Sequence, residues 1–220
     1  QASFSENWSG GGVNSVAIGF LGWHKAEYNR NNFQFISELD LRYGKIKNKD
    51  QLAKKNNDRI FWDNKLSYKI SKSWAIYTSV TFESQFDVGY KYKINSDGVD
   101  EIIDTVSSFM APGYLTESLG LEYKPDNSFS IRLGTGTARQ TFVLDDRINE
   151  MNYGLEEGKK VKNDLAFQIT ANLDKNLSKN LNLKSRYNMF ADYKDISDPD
   201  HRLDITLTAK VTRLVNVSLN

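Results

Sequence analysis

Residues 59–83 carry a period of two that few folds can accommodate. Ile60, Trp62, Asn64, Leu66, Tyr68 and Ile70 share one parity, and after the turn Ser71-Lys72-Ser73 the same side continues with Trp74, Ile76, Thr78, Val80 and Phe82. The other parity holds Arg59, Phe61, Asp63, Lys65, Ser67 and Lys69, then Ala75, Tyr77, Ser79, Thr81 and Glu83. Successive side chains of a strand point to opposite faces, whereas a helix groups residues three and four apart. The segment therefore reads as a hairpin with one apolar, aromatic-edged face and one polar, charged face. Whether lipid, protein interior or water meets each face decides the fold.

The alternation continues along most of the chain. Val16, Ile18, Phe20, Ala26 and Tyr28 share a parity, but Leu21 and Trp23 fall on the other, so the first run leaves its faces open. Phe33, Phe35, Leu39, Leu41 and Tyr43 oppose Gln34, Glu38, Asp40 and Arg42. Strands are predicted from Tyr114 to Lys124, from Phe129 to Val143, and over the alternating runs that follow Asp164, Leu181 and Arg202, with one more beginning at Val215. The hairpin's second strand is expected to run on to Tyr92. Within residues 95–111, Val99, Ile102, Ile103, Val106 and Met110 fall at helical spacing and predict a short amphipathic helix.

The connections sort by length. Segments 29–32, 71–73, 125–128, 175–180 and about 212–214 are short, whereas 47–58, 95–111, 144–161 and 194–200 are longer. Membrane barrels have short turns on the periplasmic side and long loops outside. Aromatic residues flank the short turns, as Tyr28 with Phe33, Tyr68 with Trp74 and Tyr123 with Phe129, which is how an interfacial girdle reads along a sequence. Tyr43, Trp62, Phe86, Tyr90 and Tyr193 lie near the other strand ends. The mean hydropathy of −0.57 excludes a bundle of membrane helices but not a barrel, whose strands show lipid only at every second residue. The competing reading is a soluble β-sandwich or lipocalin-like barrel with the apolar parity inside. Loop sorting, paired aromatics and strands reaching the ~9–11 residues of a tilted membrane strand weigh against it.

The fold expected is a single all-β domain over residues 1–220, a transmembrane up-and-down antiparallel β-barrel. About ten full strands fall within the sequence. If residues 5–12 form an outer loop and both termini are periplasmic, one strand is expected to end at Gln1-Ala2-Ser3-Phe4 and another to follow Asn220, for 12 strands intact. The alternative is a closed barrel of about 10.

Several stretches form a recognisable pattern: Asn7-Trp8-Ser9-Gly10-Gly11-Gly12-Val13-Asn14-Ser15, Lys65 to Trp74, Ala111-Pro112-Gly113-Tyr114-Leu115, Ser118 to Pro125, and Gly158-Lys159-Lys160-Val161. They resemble a family of uncharacterised outer-membrane proteins of Bacteroidota, a domain of unknown function, over most of the chain. The resemblance implies an outer-membrane barrel and brings no catalytic residues with it.

The chemistry is sparse. With 29 basic and 28 acidic residues, a formal net charge of +1 and no cysteine, nothing points to nucleic acid or to a thiolate metal site. His201 with Asp198 and Asp200 has metal-ligand or acid–base potential, but solvated loop charge is the simpler reading. His24 with Ser15 or Ser37 has no feature that favours it. Gly134-Thr135-Gly136 lacks the context of a phosphate loop and is expected to let a strand bend. The sequence calls for no cofactor, no metal and no catalysis. The face expected toward the lumen bears Glu38, Asp40, Arg42, Arg59, Asp63, Lys65, Glu83, Arg132, Arg186, Arg202 and Asp204, with mixed signs. Trp62, Leu66, Tyr68, Trp74, Ile76, Val80 and Phe82 are expected to face lipid. Opposite charges in a narrow barrel can pair across it and block it, while a size between ~8 and ~16 strands leaves room for a small pore. The function expected is a structural or accessory subunit of an assembly in the cell outer membrane. Its partners would be outer-membrane lipid and other outer-membrane proteins. The alternative is a narrow pore for small polar solutes or ions.

Overall fold

The computed structural model describes residues 2–3, 14–49, 51–96, 99–210 and 216–219. The strands are β1 (Ala2–Ser3), β2 (Ser15–Arg30), β3 (Phe33–Asn48), β4 (Lys54–Lys69), β5 (Trp74–Ser84), β6 (Gly89–Ile94), β7 (Asp100–Ser107), β8 (Gly113–Tyr123), β9 (Phe129–Phe142), β10 (Val161–Ser178), β11 (Leu181–Asp192), β12 (Asp200–Lys210) and β13 (Asn216–Leu219). Eleven of them form one antiparallel sheet, ordered β1-β2-β3-β4-β5-β8-β9-β10-β11-β12-β13, that curls into a half-barrel. The remaining two, β6 and β7, pair as a separate hairpin. The ten expected strands correspond to β2–β5 and β8–β13, and the tail Ala2–Ser3 adds β1 beside β2. The expected outer loop 5–12 and the turn about 212–214 lie outside the described residues.

Three local expectations need correction. The described residues of 95–111 form no helix: the middle of the segment is β7, with Tyr90 opposite Thr105 and Tyr92 opposite Ile102. Val99, Ile102, Ile103, Thr105 and Val106 are β-branched. Such side chains lose rotamer freedom in a helix and fit a pleated surface, so the helical spacing was coincidental. The strand expected to reach Tyr92 stops at Ser84, and Asp87 lies in the connection that follows. The loop expected over 47–58 is largely strand, because β3 runs to Asn48 and β4 begins at Lys54.

The glycine pair behaves as the sequence suggests. Register shifts fall between Leu119 and Gly120 and between Ala166 and Gln168, on either side of the β9 segment Gly134–Thr137. A Cβ on Gly120 would sit 1.9 Å from the Leu133 carbonyl oxygen, so only glycine lets the two backbones approach there. These bulges bend the sheet and increase its twist.

Burial along the strands is inverted relative to a water-soluble sheet. On β4, Phe61, Asp63, Lys65 and Ser67 are buried, while the intervening Trp62, Leu66 and Tyr68 are exposed. Asp63 is 3% and Lys65 4% accessible, against 48% for Trp62 and 44% for Leu66. Along β5 from Trp74 to Val80 the buried residues are Ala75, Tyr77 and Ser79, and the exposed ones Trp74, Ile76, Thr78 and Val80. The concave face therefore holds the charges and the convex face the aliphatic and aromatic side chains. A small apolar core does exist, but it lies beyond the strand ends: Ala111, Val143, Ile148 and Leu155, with Tyr153 against them. It fixes the 143–160 connection, which contains a 3-10 turn at Glu150–Tyr153, next to β7 through a Tyr153 Oη bond to the Val106 carbonyl (2.5 Å).

Candidate functional site

Charged groups can be buried only when paired, and the concave face pairs them across the curl. Asp63 on β4 meets Arg132 on β9 at 3.5 Å and Arg186 on β11 at 4.0 Å. Arg202 on β12 donates to Glu83 on β5 (3.0 Å), and Arg139 on β9 donates to Asp200 at the start of β12 (3.2 Å). None of these pairs joins adjacent strands: they span three to five strands of the curled sheet. Lys65 donates to Glu122, which also lies 3.6 Å from Arg132. Arg59 bridges Asp40 (3.7 Å) and Glu83 (3.3 Å), Asp40 accepts bidentate hydrogen bonds from Arg42, and Arg202 also reaches Asp204 (3.3 Å). Glu38 pairs with Lys25 at 3.0 Å. All eleven residues expected inward thus share one face, and Glu122 joins them. The pairing depends on the curl of the sheet, because a flat sheet would leave these charges without partners.

Aromatic rings interleave with the guanidinium groups. Arg59 and Arg186 lie over the ring of Phe61 at 4.5 and 4.9 Å, and Arg139 stacks on Phe190 at 3.5 Å. Together they enclose a cavity of about 250 Å³ lined also by Tyr77, Ser79, Thr81, Tyr114, Gln168, Thr170 and Asn188. The sequence reading missed Arg139. The bulge at Gly134–Thr137 shifts the phase of β9, so Arg132 and Arg139, of opposite parity, both point inward. The Gly134-Thr135-Gly136 interruption was the available signal. Trp23 and Leu21, whose face was open, stand opposite Asp40 and Arg42 in register and so share the concave side.

On the convex face, Trp62, Leu66, Tyr68, Trp74, Ile76 and Val80 are exposed, and Phe82 is half-buried beside Trp62 and Leu115. Near the short turns Phe33 packs on Tyr68 (5.0 Å) and Trp74 on Tyr123 (4.9 Å). Towards the other end Phe20, Tyr43 and Phe86 cluster, with ring separations of 5.9–6.4 Å. The Tyr43 hydroxyl donates to Asp87 (2.7 Å), which also pairs with Lys45 (2.6 Å). The Lys45 bond holds the Asp87 carboxyl down at about 2. Glu117 is an acidic residue on this face, exposed, opposite Val80 and Ala138.

The histidine constellation does not assemble. His201 Nδ1 bonds the Tyr187 hydroxyl (2.8 Å) while its neighbour Asp200 engages Arg139. His24 is exposed opposite Leu39, and no group of three His, Asp or Glu side chains suited to a metal occurs among the described residues.

No curated protein matches the chain. A family model matches the first 90 of 220 residues, which include β1 to β5 and Glu38, Asp40, Arg42, Arg59, Asp63, Lys65 and Glu83, but not Arg132, Arg186, Arg202 or Asp204. Residues 1–90 are covered by a domain of unknown function, described as Protein of unknown function (DUF3078).

Proposed function

We propose that this chain is a non-catalytic β-barrel of the bacterial outer membrane, closed at 12 strands, that serves as a structural or accessory subunit of an outer-membrane protein assembly. The observation behind this reading is the inverted burial. A sheet that hides Asp63, Lys65 and Glu122 while presenting Trp62, Leu66 and Val80 is matched to a solvent more apolar than water. The spacing of the aromatics agrees. Tyr43 lies ten residues after Phe33 on β3. At about 3.4 Å per residue and a tilt of about 40°, the two rows are separated by about 26 Å along the membrane normal, against a band of about 25 Å in membrane barrels.

A closed interior is favoured over a pore because Arg132, Arg139, Arg186 and Arg202 reach carboxylates three to five strands away across the concave face. Glu117 favours membership of an assembly. It stands six residues from Tyr123 on β8, about 16 Å into the apolar band on the geometry above. An uncovered carboxylate there costs on the order of 1–3 kcal/mol, which a covering partner would remove.

Planar-bilayer recording tests the lumen, and native pull-down tests the assembly. No steady conductance together with a stoichiometric partner is the expected result. Steady single-channel conductance would replace this reading with the narrow pore for small polar solutes or ions.

A further inference from the structure

The lining of the central cavity is rich in arginine. Arg59, Arg132, Arg139, Arg186 and Arg202 line it, against the carboxylates of Glu83 and Asp200. Asp40, Asp63 and Glu122 stand behind Arg59, Arg132 and Arg186, so the guanidinium groups and not the carboxylates dominate the surface that faces the cavity. The hydrogen bonds are also incomplete. The Nε groups of Arg59 and Arg132 are buried without a formed hydrogen bond, 3.3 Å from Glu83 and 3.6 Å from Glu122, and Arg186 comes no closer than 4.0 Å to Asp63. A guanidinium offers five donors in a rigid fork suited to oxyanions, and an unpaired buried donor is costly. Stacking on Phe61 and Phe190 fixes the planes of Arg59, Arg186 and Arg139 and leaves their edges free to donate. Convergent, preorientated donors in a concave, partly apolar site are what anion recognition requires.

We propose that this cavity binds a small doubly charged oxyanion, a phosphate or a dicarboxylate, with Arg59, Arg132 and Arg186 donating to it. A free phosphate and a phosphate carried on a lipid share this chemistry. The site lies on the concave face, away from the apolar surface, and so favours the free solute. The inference rests on cavity geometry and not on membrane insertion, which the conductance and pull-down experiments address separately.

The test is isothermal titration calorimetry of the whole chain in non-ionic detergent at low salt, with inorganic phosphate, succinate and a short-chain phosphatidic acid as separate titrants. Saturable binding of phosphate or succinate below about 10 mM, and none of the lipid, is expected. Arg186→Gln should weaken binding at least about tenfold, the loss of one charge-assisted contact. That variant keeps the Asp63–Arg132 pair and should fold. Arg147→Gln, on a distant loop, should bind as the parent does. Absence of saturable binding to either solute, unchanged affinity in Arg186→Gln, or equal loss in Arg147→Gln would overturn the proposal. Binding only of the lipid phosphate would overturn the assignment to a free solute.

Discussion

The membrane reading makes its sharpest demand at Ile169. This residue lies on the convex face of β10, opposite Leu133 on one side and Met189 on the other, with no charge in register. Leu173, four residues further along, is level with Phe129 at the short-turn girdle. Four residues at about 3.4 Å and a tilt of about 40° place Ile169 about 10 Å beyond that girdle, close to the middle of a band about 25 Å tall. An arginine at the midplane of a barrel's lipid face costs about 2–4 kcal/mol, whereas one near the interface costs about 0–1 kcal/mol. On a sheet facing water, a surface change away from special features stays within about 0.5 kcal/mol. Ile169→Arg should therefore lose about 3 kcal/mol, and Ile70→Arg in the β4–β5 turn less than about 1 kcal/mol. Reversible denaturant unfolding of protein refolded into short-chain lipid vesicles, followed by tryptophan fluorescence, gives both values. Equal stability of the two variants, or a parent chain that stays monodisperse in water without detergent, would refute the orientation of the sheet.

Lys65→Met should destabilise the same system by about 3 kcal/mol, because it strips the nearest partner from buried Glu122, while Lys65→Met with Glu122→Leu should recover much of that loss in a double-mutant cycle. Glu117→Leu should raise the stability of the isolated chain in vesicles by about 1 kcal/mol yet lower partner recovery in native pull-downs. Gly120→Ala should cost about 1–3 kcal/mol through its clash with the Leu133 carbonyl, seen as a reduced refolded fraction. The Asp87 carboxyl is depressed from 3.8 to about 2 by its bond to Lys45, so the anchorage it gives is complete above its ordinary pKa and is lost as pH falls through about 2. Hydrogen exchange of residues 85–88 should accelerate over that window, and Asp87→Asn should exchange fast throughout.

The strands and their two faces were legible in the sequence because a period of two is a local property of the chain. The parity of β3, β4 and β5 alone placed Glu38, Asp40, Asp63 and Lys65 together and Trp62, Leu66 and Val80 opposite them. The phase of β9 beyond Gly134 was not legible. A bulge moves every later side chain to the other face, and parity counting cannot register it, which is why Arg139 escaped notice. Nor could local spacing separate helix from strand over 99–106, where the β7 pairing to β6 decided the matter.

What the sequence determined by itself was alternation, and with it an antiparallel meander whose polar face is as continuous as its apolar one. What only the tertiary structure decided was which charges meet. Arg202 and Glu83 are 119 residues apart and five strands apart in the sheet, and nothing local to either names the other. Their pairing depends on the curvature of the whole sheet, set by strand twist and by the glycine bulges, and curvature is a sum over strands that no single stretch of sequence contains.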